Sequence, residues 1–181
     1  MIGNRRQVEY PVAVVGRGDT LTAHLLRKLT GCPVVELTPC QAVMRGEDAF
    51  YRAVVVENFD HYDRRTLSGC AAARWELARR SGVTVVAIDD GEGQRLAAAA
   101  PDSVFSYSDG KPQADLAAEN IRIRRDKLEF EALTQRELTR VRVRLGDRPR
   151  LYDHLAALAG ALAIGVPLET AVSRLTEETD V

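Results

Sequence analysis

Short apolar runs alternate with helical patterns along the first two thirds of this chain. That alternation predicts strands and helices in turn, as in a parallel α/β sheet. Tyr10–Val15 reads as the first strand, and Thr20–Leu29 as a helix with Asp19 or Gly18 as its N-cap and Gly31 just past its end. Pro33–Leu37 reads as a second strand and Ala53–Glu57, Ala-Val-Val-Val-Glu, as a third. A helix is predicted over Thr66–Ser81, with Leu67, Cys70, Arg74, Leu77 and Ala78 on one stripe and Gly82 ending it. Val83–Ile88 reads as a fourth strand, running into Asp89-Asp90-Gly91. A short helix over Gln94–Ala100 stops before Pro101, and Ser103–Tyr107 reads as a fifth strand.

From Ala117 the period changes to two: Ile121 and Ile123, Leu128 and Phe130, Val141, Val143 and Leu145. Arg140-Val-Arg-Val-Arg-Leu145 puts three arginines on one face and three aliphatics on the other, as in antiparallel strands with one wet face. Glu129, Glu131 and Glu137 lie close by in sequence and suggest cross-strand charge pairing. No aromatic residues interleave with these arginines to stack bases, which argues against nucleic acid. The tail, Leu151–Leu175, reads as two helices separated by Gly165-Val-Pro167. The whole describes a three-layer α/β fold around a mainly parallel sheet with an antiparallel extension.

At 181 residues the chain is expected to form one domain, residues 1–181. A formal charge of −1 gives no global field toward nucleic acid or an anionic membrane. Three cysteines, Cys32, Cys40 and Cys70, with no C-x-x-C pair argue against a disulfide framework or a zinc site. The N-terminus shows no apolar signal segment. The most apolar run, Leu155–Leu168, is too short to span a bilayer and reads as a buried helix. A cytoplasmic protein is expected.

The candidate chemistry begins at Pro11–Thr22, whose strand, Gly turn and helix start have the outline of a phosphate loop. Such a loop is G-x-x-x-x-G-K-[ST]: its lysine neutralises the outer phosphates and its hydroxyl holds Mg²⁺. Here Asp19-Thr20 stands in the place of Gly-Lys, and a carboxylate replaces the glycine. Gly16, Arg17, Gly18, Thr20 and Thr22 remain as candidate contacts for a phosphate, with Arg17 as the substitute cation. Cys70, His24 and His154 read as structural, and Asp89-Asp90 reads equally as a metal pair or an Asx cap.

Taken in order, these segments resemble the central domain of the Mur ligases, ATP-dependent amide-forming enzymes of peptidoglycan synthesis. Gly16–Thr22 is similar to the family's G-T-x-G-K-[ST]-T loop in position only. Val35-Glu-Leu-Thr38 resembles the strand ending in E-x-S-S. Ala53-Val-Val-Val-Glu-Asn-Phe-Asp-His-Tyr-Asp-Arg64 resembles a-V-i-t-N-i-x-x-D-H-l-D-r. Val85-Val-Ala-Ile-Asp-Asp90 resembles N-x-D-D. Tyr152-Asp-His-Leu-Ala-Ala-Leu-Ala159 and Ala161–Glu169 resemble the family's closing helices.

The resemblance implies ATP and Mg²⁺, with Glu36 and His61 as metal ligands and Asp153 near a nucleotide-contacting asparagine. It also implies N- and C-terminal domains for which this chain has no room. The departures point the other way. Thr20 replaces the phosphate lysine, Arg74 replaces a lysine carbamylated in many members, and Pro149 disturbs the H-N before Asp153. An arginine cannot become a carbamate. The expectation is a non-catalytic relative with no bound cofactor, acting as an interaction or regulatory module near cell-wall precursor synthesis. It would bind a protein partner or itself, and no nucleic acid or membrane. The alternatives are an ATP-dependent ligase subunit completed by a partner chain, and a nucleotide or phosphometabolite binder without hydrolysis.

Overall fold

A computed structural model describes residues 8–16, 20–38, 41, 49–57, 78–144 and 151–176. Its strands are β1 Val8–Val15, β2 Val34–Leu37, β3 Ala49–Val56, β4 Ser81–Ala87, β5 Val104–Ser108, β6 Leu116–Arg124, β7 Lys127–Leu133 and β8 Leu138–Arg144. They form one sheet in the order β2-β1-β3-β4-β5-β6-β7-β8. The first six strands pair in parallel and the last three are antiparallel. The described helices are α1 Leu21–Thr30, α2 Gly91–Ala99, α3 Leu151–Ala163 and α4 Leu168–Thr176, with a single 3₁₀ turn over Pro101–Ser103.

The alternation along the strands builds two core layers. Val12, Val14, Val55, Val85 and Ala87 face α1, α3 and α4. Ala13, Val15, Val54, Val56 and Val86 face the opposite way, toward Leu96 of α2. This is the expected three-layer arrangement. The apolar run at Leu155 is helix α3, buried along Leu155–Ala161. Gly160 is the point of closest approach: a Cβ there would lie 2.7 Å from Val55 Cγ2 and 2.8 Å from Leu26 Cδ2.

The expected elements recur with shifted ends. The third strand begins at Ala49, not Ala53, because Ala49 and Phe50 extend the ladder with Val8 and Glu9 of β1. Helix α2 begins at Gly91, three residues early, because the Asp90 carboxylate accepts from Gly93 N at 2.6 Å and caps it. This answers the question over Asp89-Asp90: Asp90 is an Asx cap. The helix predicted over 66–81 falls outside the described residues except for 78–81, where only Ala78 is helical and Ser81 already opens β4 by pairing with Tyr51.

The tail is two helices as read, and Gly165 between them takes a left-handed φ of 95°. Among the described residues no helix is long and apolar enough to cross a membrane. Gly160→Val places two methyls against Val55 and Leu26. It is expected to lower unfolding free energy by about 1–3 kcal/mol, read as an earlier urea midpoint with an unchanged m-value.

Candidate functional site

In a parallel sheet the strands' carboxyl ends share one edge, and a crevice opens where consecutive crossovers leave in opposite directions. Here that point is β1, flanked by β2 and β3. The residues leaving these strands are Gly16, Thr38 and Glu57, and the N-terminus of α1 faces them. Gly16 N donates to Leu37 O at 3.0 Å and Glu57 N to Val15 O at 3.1 Å, so the three strand ends are tied together.

Thr20 is the N-cap of α1. Its backbone is extended and its hydroxyl accepts from Ala23 N at 3.2 Å. The cap expected at Asp19 or Gly18 is therefore one or two residues later. The reason is local chemistry, since a threonine hydroxyl at this position satisfies an amide of the first turn. Thr20 N donates to Glu36 Oε2 at 3.0 Å, and Glu36 Oε1 accepts from Arg27 at 2.7 Å. Arg27 also donates to Val34 O at 3.1 Å. The resemblance implies Glu36 as a metal ligand. The structure ties both its oxygens to α1.

The residue that organises the turn is Glu57. Its Oε2 lies 2.0 Å from where a Cβ on Gly16 would stand, so the glycine is the space the carboxyl occupies. Its Oε1 is buried without a hydrogen-bond partner. Burial pushes the Glu57 carboxyl above the usual carboxylate range. The nearby hydroxyls of Thr22 and Thr20 offset part of this, while Asp153 and Glu36 add to the rise. The Thr22 hydroxyl donates to Asp153 Oδ1 at 3.4 Å.

Gly16, Thr20, Thr22, Glu36 and Asp153 are thus brought together. Arg17, Gly18, Asp19, His61, Arg74 and Pro149 lie outside the described residues. Glu57 was missed as a site residue because it reads as the polar end of an apolar strand. The signal was a carboxylate closing Ala-Val-Val-Val, on the strand next to a glycine turn. Among the described residues no group of three or more His, Cys, Asp or Glu is placed to hold a metal. Among the described residues, three carboxyls and two hydroxyls gather at the N-terminus of α1, and the neighbouring cation Arg27 is bound to Glu36.

A second polar cluster closes the β4 and β5 ends. Asp89 accepts from Ser108 Oγ at 2.7 Å, Asp109 N at 3.2 Å and Tyr152 OH at 3.2 Å. Lys111 Nζ donates to Ile88 O at 2.7 Å and lies 3.9 Å from Asp89. Burial and then the charges of Asp89 and Asp109 raise the Tyr152 hydroxyl well above its ordinary value, so it remains a donor. The other single candidates are structural in position. His24 is exposed on α1, His154 is buried in α3, and Cys32 Sγ lies 3.7 Å from Thr30 O.

No family model matches the chain. A curated Clostridium botulinum protein, UDP-N-acetylmuramoyl-L-alanyl-D-glutamate--2,6-diaminopimelate ligase, is 25% identical over 112 residues, which is 61% of this chain and 23% of that protein. MurF from Acinetobacter baumannii matches with a TM-score of 0.74 at 19% identity, over 92% of this chain and 45% of that one. A pseudomurein peptide ligase type C from Methanothermus fervidus matches at 0.69 and 14%, over 95% of this chain and 50% of that one. MurC from Thermotoga maritima matches at 0.71 and 13%, over 95% and 45%. The fold is that of the Mur ligases, as the resemblance implied, and the chain spans about half the length of these solved structures.

Glu57→Gln removes a carboxyl whose protonated form the fold favours. Such a group costs stability as pH rises from the usual carboxylate range through its raised folded value. The variant is expected to be more stable than the parent at pH 7 and to lose less stability between acid and neutral pH. Urea unfolding across pH checks both. A less stable variant with the parent's pH slope would contradict the assignment.

Proposed function

We propose that this chain is a non-catalytic relative of the Mur ligases, a Mur-type fold serving as an interaction or regulatory module associated with cell-wall precursor synthesis. The observation that carries this is Glu57. The amide end of α1, which in phosphate-binding turns receives an anion, faces the protein's own carboxyls. Glu57 lies against Gly16, and Glu36 takes the amide of Thr20. A polyphosphate would have to displace both and then stand among Glu57, Glu36 and Asp153.

The sequence supports the same reading, with Thr20 in the lysine position and Arg74 in that of the carbamylated lysine. Phosphoryl transfer depends on positioning and charge neutralisation. Loss of the phosphate lysine and of the carbamate ligand for Mg²⁺, with carboxyls added, opposes it at each point. The ligase lineage accounts for the fold, and the altered turn accounts for its use as a scaffold.

Calorimetric titration with ATP and Mg²⁺ tests the proposal. A retained micromolar site would stabilise the fold by roughly 4 kcal/mol at about 1 mM ATP. The expectation is no heat and no shift in melting temperature. Asp19→Gly with Thr20→Lys should remain silent, and adding Glu57→Thr to that pair should create measurable affinity. Micromolar binding by the parent protein would overturn the proposal.

A further inference from the structure

The antiparallel end of the sheet carries an unneutralised charge pattern. Residues in register across β6, β7 and β8 share a face, so the exposed face is read as rows. Ala117, Leu133 and Leu138 form the first, Glu119, Glu131 and Arg140 the second, and Arg122, Glu129 and Arg142 the third. The fourth row is Arg124, Lys127 and Arg144, three cations directly abreast. Like charges directly opposite destabilise a sheet. The face therefore holds six cations against three carboxylates on a chain whose net charge is −1.

Two of the three carboxylates, Glu129 and Glu131, are already used. Arg140 lies 3.4 Å from Glu131 and Arg142 lies 3.7 Å from Glu129. Asn120, at a left-handed φ of 52° where the β6–β7 register shifts, donates to Glu131 Oε2 at 2.5 Å. These contacts hold the Glu131 carboxyl below its usual range. Glu137, expected to pair here, instead closes the β7–β8 turn through Thr134, with its N–H 3.1 Å from the threonine hydroxyl. Arg124, Lys127 and Arg144 are exposed and make no hydrogen bond or ion pair among the described residues. The middle of the face is a shallow hollow of about 280 Å³ lined by Asn120, Arg122, Glu129, Glu131, Arg140 and Arg142. At its other end Leu138 is 53% exposed.

We infer that this face docks an extended acidic polypeptide segment of a partner protein, with an apolar residue against Leu138 and carboxylates against Arg124, Lys127 and Arg144. The two ends are six residues apart along β8, about 20 Å at the strand rise of ~3.3 Å per residue. Charge complementarity selects an anion at one end only. The carboxylates of the middle rows oppose a uniform polyanion, and the face offers no aromatic ring for stacking bases. A peptide of mixed character meets both ends, and a phosphodiester backbone meets one. This gives the interaction reading above a surface and a partner class. The test uses no nucleotide cofactor, so the two proposals fail separately.

The probe is a fluorescein-labelled synthetic peptide with two leucines at one end and three glutamates at the other, made in both orders. Its anisotropy is followed with the full chain at low and high salt. One order of the peptide should bind, and affinity should fall by about tenfold or more as salt screens the fourth row. A lysine-for-glutamate peptide should not bind. Lys127→Glu should abolish binding while its melting temperature stays equal or rises, because it separates Arg124 from Arg144 with an opposite charge. Arg124→Ala should weaken binding without loss of fold. Absence of peptide binding, binding unaffected by both variants, or tighter binding of a single- or double-stranded DNA oligonucleotide than of the peptide would each overturn the inference.

Discussion

A carboxyl group occupies the space beside a glycine at the head of a helix, and the arrangement of the crevice follows from it. Glu57 leaves β3, fills the position that a side chain on residue 16 would take, and is buried enough to favour its neutral form. A charged carboxylate would gain from the helix dipole, yet burial and the neighbouring Asp153 and Glu36 oppose ionisation more strongly. Glu36 is held between Arg27 and the Thr20 amide, and Thr22 reaches across to α3 through Asp153.

These contacts also tie the layers together. α1 lies over β1 and is joined to β2 through Arg27 and Glu36, and to α3 through Thr22 and Asp153. Gly160 lets α3 approach both Leu26 of α1 and Val55 of β3. The described side chains at the head of α1 bind one another.

The layers were legible in the sequence because strand and helix periods differ, and because the apolar faces of β1, β3 and β4 had to be buried on both sides. The strand ends were less so. Ala49 and Phe50 joined β3 by pairing with β1, a tertiary contact that the apolar run starting at Ala53 does not announce. At the site, Gly16, Thr20, Thr22, Glu36 and Asp153 lie together because strand ends converge in a parallel sheet. Glu57 was not chosen: a carboxylate closing Ala-Val-Val-Val reads as solvated, and only the pairing of β3 with β1 lays it against Gly16. The cationic row on β6–β8 was also hidden, because Arg124, Lys127 and Arg144 become neighbours only through register.

The central claim is that Glu57 is a buried carboxyl against Gly16 that titrates above the usual carboxylate range. Carbon-13 NMR of the protein's carboxyl groups, followed through a pH titration, tests it most directly. The account predicts that the Glu57 resonance, assigned by its loss in Glu57→Gln, titrates above the other glutamates. A Glu57 resonance that titrates with or below the exposed glutamates would mean the carboxyl is ionised and solvated, and would contradict that claim.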